Sequence, residues 1–215
     1  MIVRRILGEE WGWMAYEAAC EFARKKMRAG IPGEMARRAG VAFNQEEEYF
    51  LVPYLDEKYL VHFPSGRVEK AGGTGPVSLD DQILLYLYLA TASGKPLAGR
   101  WISFKELWGG YTYLDAFNRG PVAMLARAFG ARPHLLLEAA RTIGGEKFDK
   151  GDVATTIPVF PRLPLTLILW AGDEEFPPSG TILFDAAANE YLDTEALVGV
   201  AVDCVHRLKK IKEGL

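Results

Sequence analysis

The chain has 215 residues, 49% apolar and 25% charged, which describes a folded globular protein rather than a disordered, fibrous or disulfide-stapled one. A chain of this length buries roughly 70% of its unfolded surface, in one domain or two closely packed lobes. A formal charge of −3 provides no basic field to gather phosphates, so nucleic acid is not an expected partner.

The opening residues, 1–8, include Arg4 and Arg5 but lack the apolar core of a secretory signal. From 83 to 92 runs the longest apolar stretch, too short for the roughly 20 residues that cross a bilayer. A cytoplasmic location without membrane contact is the expectation. Cys20 and Cys204 lie far apart on helical patterns and are read as small core hydrophobes, since two cysteines hold neither a zinc site nor an iron–sulfur cluster.

Residues 9–29 place Trp11, Met14, Ala15, Ala18, Phe22 and Ala23 at helical spacing, which predicts an amphipathic helix ending at Gly30 and Pro32. The basic residues between Glu21 and Arg38 are interrupted by acids and read as a solvated face. From 41 to 70, short segments rich in Tyr, Phe and Val predict a three-stranded meander, with Tyr59, Val61 and Phe63 on one face of its middle strand. The glycine-rich segment 71–76 is the best hinge, should the chain form two lobes.

Ser78 followed by Asp81 marks a helix start before the run Ile83 to Leu89, whose apolar residues cover most of the circumference and predict a central buried helix. Residues 99–113 read as an ordered aromatic loop with one short turn capped by Ser103 and Glu106. Helical patterns follow over 113–129, broken at Gly120-Pro121, and over 133–143 with Pro133 at its first position.

Residues 153–160 alternate as a strand that lies at an edge or ends in a bulge, because proline cannot donate to a ladder. The apolar run 165–170 predicts a central strand, and a long acidic loop leads to a further strand over 181–184. The last helix, 194–212, opens with Asp193 as its cap and closes with lysines, the charge order its dipole favours. The fold class expected is α+β, with mainly antiparallel sheet, the meander plus the later hairpin, packed against several helices.

Two segments carry candidate sites. The first holds Arg100, Trp101, Trp108, Tyr111 and Tyr113, the mixture of guanidinium, indoles and phenols that lines ligand pockets and interface hot spots. Its rings suit a protein partner or a planar cofactor, a base, a flavin or a tetrapyrrole edge, and the guanidinium suits a carboxylate or phosphate. The bland alternative has Trp101 and Phe104 plugging the core while Gly109 and Gly110 turn the chain.

The second segment holds Asp173, Glu174 and Glu175, with Asp185 at the end of the following strand. Four carboxylates converging at one end of the hairpin would bind a hard divalent cation or divide acid and base roles. Equally, acids in a turn hydrogen-bond backbone amides. His62, His134 and His206 lack the spacing of a helical zinc site, and neither a Gly-x-Ser-x-Gly elbow nor a phosphate loop is encoded.

The order of motifs from Ile83-Leu84-Leu85-Tyr86-Leu87-Tyr88-Leu89 through Gly99-Arg100-Trp101-Ile102-Ser103-Phe104, Phe160-Pro161-Arg162-Leu163-Pro164, Gly172-Asp173-Glu174-Glu175-Phe176-Pro177 and Ile182-Leu183-Phe184-Asp185 resembles the prokaryotic DUF3786 family. The resemblance spans about residues 9–208. It carries no reaction with it, and it implies an anaerobic prokaryotic setting near corrinoid or one-carbon metabolism. The cysteine-rich iron–sulfur segment of some relatives is missing here. The leading expectation is a binding or accessory module acting through the aromatic segment, the alternative a small enzyme with an acidic site. A third reading, a self-associating structural protein, would bury an apolar patch in a symmetric dimer.

Overall fold

In a computed structural model the chain is described over residues 9–215, with side chains from Tyr16 onward, so that the opening segment with Arg4 and Arg5 lies outside the described residues. The fold is α+β, and every strand pairing is antiparallel among those residues. The chain divides into two compact units, one of residues up to Val52 with Glu57–Gly94, the other of Pro53–Asp56 with Lys95–Leu215. The chain thus enters the second unit briefly at Pro53–Asp56 and finally at Lys95, and the glycine-rich segment 71–76 lies within the first unit.

The first unit opens with helix α1 (Glu9–Arg28), a break at Gly30-Ile31, and helix α2 (Pro32–Ala39). Pro32 starts α2 because a first-turn residue needs no amide partner, and Gly40 closes it in the left-handed region at φ 71°. Four short strands follow in sequential order, β1 (Ala42–Asn44), β2 (Tyr49–Tyr54), β3 (Glu57–His62) and β4 (Val68–Lys70). The meander thus has one strand more than its sequence pattern indicates, because β1 is only three residues long and leaves too short a repeat to read. Strict alternation buries Phe50, Val52 and Tyr54 on β2 and Tyr59 and Val61 on β3.

Helix α3 (Leu79–Thr91) is capped as expected, with Ser78 Oγ accepting from the Asp81 N–H at 3.1 Å. It buries Leu84, Leu85, Tyr86, Tyr88 and Leu89. Its two buried phenols are both satisfied, Tyr88 donating to the Ala39 carbonyl at 2.7 Å and Tyr86 to that of Gly66. Burial pushes the Tyr86 hydroxyl up to about 12.

Against α1, the buried residues are Cys20, Ala23 and Met27, whereas Ala18 and Phe22 are exposed. That turns the buried face by about two-fifths of a turn from the expected one, at 3.6 residues per turn. Trp11, Met14 and Ala15, the other residues of that reading, have side chains outside the described ones.

In the second unit a five-stranded sheet has the order β5 (Trp101–Ser103), β9 (Ser179–Asp185), β8 (Leu163–Trp170), β7 (Val153–Phe160), β6 (Glu146–Lys147). Its centre is β8, buried continuously from Leu165 to Leu169 as its near-continuous apolar run, interrupted by Thr166, requires. β7 is interior by topology, but β6 covers it only at Thr155 and Thr156. Pro158 therefore sits where no β6 amide pairs with it, and the register slips between Pro158 and Phe160.

Helices α4 (Gly110–Phe117), α5 (Ala123–Phe129) and α6 (His134–Thr142) follow β5, with a π-helical turn at 118–122 where Gly120-Pro121 interrupts the ladder. Pro133 stands one position earlier than expected, as the N-cap of α6. The closing helix α7 (Thr194–Glu213) begins where Asp193 Oδ1 accepts from the Ala196 N–H at 2.9 Å. It buries Leu197, Val200, Ala201, Cys204, Val205 and Leu208. Burial raises both free thiols, Cys204 most of all, so they behave as packing groups. No helix among the described residues is long and apolar enough to cross a membrane.

Candidate functional site

The aromatic segment is not a single loop. Its first part is strand β5, which pairs Trp101 with Asp185, Ile102 with Phe184 and Ser103 with Leu183 along β9. Three residues of edge strand, paired to a segment some eighty positions away, leave no local periodicity to detect. Trp101 is half-buried and meets Phe148 edge-on at 6.0 Å.

The chain then tightens into a 3₁₀ turn at Phe104–Glu106, closed by the expected capping box of Ser103 and Glu106. Glu106 Oε2 accepts from the Ser103 hydroxyl at 2.6 Å and from its N–H at 2.8 Å, and these bonds lower the Glu106 carboxyl. Arg100, exposed at the head of β5, contributes a smaller electrostatic share to that lowering.

Phe104 belongs to the core. It stacks on Phe117 at 3.9 Å with the planes 6° apart, and both rings lean on Phe184. Leu107, three residues on, is also buried, and then the chain turns outward: Trp108 is 84% exposed and Tyr111 82%. Tyr113, also on α4, is half-exposed. The turn depends on two glycines. Gly109 sits at φ 76°, and a Cβ on Gly110 would lie 1.9 Å from the Phe104 carbonyl oxygen.

Trp108 is held from behind. Its N–H donates to Asn189 Oδ1 at 2.9 Å, and its carbonyl accepts from the Thr194 hydroxyl. Asn189 Nδ2 in turn donates to Thr194 Oγ1 at 3.3 Å, so both ends of the Trp108 peptide are tied to the start of α7 by one small polar cluster. No local pattern in the sequence links Asn189 and Thr194 to Trp108, which lies more than eighty positions away. The segment before β5 is fixed in the same way: Tyr191 donates to the Lys95 carbonyl, and Lys95 Nζ pairs with Glu190 at 2.5 Å.

The structure separates the four acidic candidates. Asp173, Glu174 and Glu175 are exposed in the loop before β9, while Asp185 ends that strand, beside Trp101. Six steps of roughly 3.3 Å put the two ends of β9 about 20 Å apart. Asp173 closes its own turn: Oδ1 accepts from the N–H of Phe176 at 2.7 Å and of Glu175 at 2.9 Å, bonds that lower its pKa.

Asp185 is 2% exposed, and three backbone amides consume it. Oδ1 accepts from the N–H groups of Ala98 and Ala187 and Oδ2 from that of Gly99, each at 2.8 Å. Its role is to hold the approach to β5 against the end of β9. The expected convergence of carboxylates is thus corrected, and among the described residues no three His, Cys, Asp or Glu side chains are grouped to hold a metal ion. His134 and His206 are exposed, and His62 lies within hydrogen-bond distance of Glu69 at 2.9 Å.

The fold and this surface define an α+β protein of two antiparallel sheets that presents aromatic rings from a fixed turn. The profile of a domain of unknown function, DUF3786, matches residues 32–207, and the chain belongs to that family. No curated protein and no solved structure matches the chain.

Proposed function

We propose that the chain is a binding module that takes a protein partner on the exposed rings that follow the 3₁₀ turn, Trp108 and Tyr111. The observation that carries this reading is at Trp108, whose backbone donor and acceptor are both occupied by another segment while its indole stands in solvent. A ring projecting from an anchored backbone has little freedom to lose on docking, and buried Trp and Tyr supply most of the energy of many interfaces. A planar cofactor needs a slot that encloses it. Rings as exposed as Trp108 and Tyr111 favour a protein surface instead.

The remaining candidates take supporting parts in this reading. Trp101 and Asp185 brace β5, and Arg100 lies at its exposed head beside Glu106. The test is site-specific photocrosslinking from position 111 in the native host, with Lys209, exposed on α7, as the control position. A discrete adduct from 111 that disappears on Trp108→Ala supports the proposal. The same adduct from the control position, or one indifferent to Trp108, refutes it.

A further inference from the structure

Ahead of β5 the chain runs from Lys95 to Arg100 without helix, strand, turn or bend, and every residue of that stretch is exposed. Exposed connections of this kind are ordinarily mobile. This one is held at both ends by residues at and just beyond the end of β9. Tyr191, fully buried, donates to the Lys95 carbonyl, and Lys95 Nζ pairs with Glu190. Asp185 takes the N–H groups of Ala98 and Gly99, and the Ala186 N–H donates to the Arg100 carbonyl at 2.9 Å. Every tie skips Pro96 and Leu97. Among the described residues nothing bonds to the N–H or the carbonyl of Leu97, whose side chain is 43% exposed. A free donor, a free acceptor and an apolar side chain on an extended backbone are what strand addition uses, and the ties have already removed most of the freedom that docking would cost.

The same short turn anchors this stretch and Trp108. Asn189, which accepts from the Trp108 N–H, lies in the 3₁₀ turn Ala188–Glu190, beside the Glu190 and Tyr191 that hold Lys95. β5, which joins the two exposed segments, measures only about 7 Å from its first residue to its third. A standard interface covers about 800 Å² of each partner, enough to take in both. Resting on the reading given above for Trp108 and Tyr111, we infer that Lys95–Arg100 is the second half of the same partner site. The partner lays a strand edge along it, pairs with the Leu97 main chain and receives the Leu97 side chain in an apolar pocket. The occupant is therefore a protein with an accessible strand edge beside such a pocket.

Photocrosslinking from position 98 in the native host, run beside position 111, tests this, with affinities then measured on the purified pair. The expected result is one partner, identical by peptide mapping from both positions, and loss of both adducts on Trp108→Ala. Leu97→Asp puts a charge into the apolar pocket and Leu97→Pro removes the N–H. Each should weaken the complex by about tenfold or more with the thermal midpoint held, while Leu97→Ile binds like the parent. An adduct from 111 with none from 98, different partners at the two positions, or an affinity indifferent to Leu97→Asp or Leu97→Pro overturns the inference and leaves the Trp108 reading standing. No adduct from 111, or one indifferent to Trp108→Ala, removes that reading and the inference with it.

Discussion

Asp185 is the residue at which the acidic-site expectation and the structure diverge most, and replacing it separates them. In Asp185→Ala three amides lose a carboxylate that each reaches at 2.8 Å. Ala98 and Gly99 are exposed and recover part of that loss from water, whereas Ala187 is buried. Breaking a buried charged arrangement of this kind costs about 3–5 kcal/mol. At roughly 2–4 °C per kcal/mol for a chain of this size, the thermal midpoint should fall by about 10 °C. Asp185→Asn keeps one acceptor oxygen and turns an N–H₂ toward the remaining donors, so a loss of about 2 kcal/mol is expected. Calorimetry with and without millimolar Mg²⁺ or Ca²⁺ reads both effects. Stability of Asp185→Ala within about 1 kcal/mol of the parent, below the usual cost of such a loss, would refute the clamp. So would a cation-dependent rise in the parent midpoint that Asp185→Asn abolishes.

Two further outcomes follow from the local geometry. Gly110→Ala drives a methyl into the Phe104 carbonyl and should cost about 1–3 kcal/mol, with a change in near-ultraviolet circular dichroism from the aromatic cluster; an unperturbed spectrum and midpoint would contradict the close approach. The Asp173 turn is pH-dependent with a defined sign. Its carboxyl is lowered in the folded chain, so the turn is fully supported above the ordinary Asp range, about 4, and loses that support as pH falls through the lowered value. Amide exchange at Glu175 and Phe176, corrected for intrinsic rate, should lose protection there in the parent. In Asp173→Ala it should be unprotected at every pH, and protection unaffected by that substitution would count against the turn.

Much of the fold was legible in the sequence because its long elements carry unambiguous periods. The cap at Ser78, the near-continuous apolar run at Leu165–Leu169 and the charge order of the last helix each correspond to a structural element at nearly the expected bounds. Failures cluster where local pattern is not the deciding term. α1 has apolar residues on two seams, and spacing alone does not say which one docks. β5 exists only through pairing with β9, and the rigidity of Trp108 comes from Asn189 and Thr194, both contacts of high sequence separation. Asp185 sits near the acidic loop in sequence, yet the length of an extended strand carries it to the opposite end of the sheet. At the aromatic segment the core-plug alternative holds for Phe104 and for the two glycines that turn the chain, whereas Trp101 is only half-buried and Trp108 and Tyr111 stand in solvent.

The central claim is that Trp108 and Tyr111 serve binding and not folding, and the most direct test pairs two readings on one variant. Trp108→Ala with Tyr111→Ala should leave the thermal midpoint within a few degrees, as exposed side chains do. The same variant should bind the crosslinked partner at least about 30-fold more weakly, the loss expected of interface hot spots. A collapsed midpoint would make the rings structural. An unchanged affinity would remove these two rings from the interface, and either result would contradict the account.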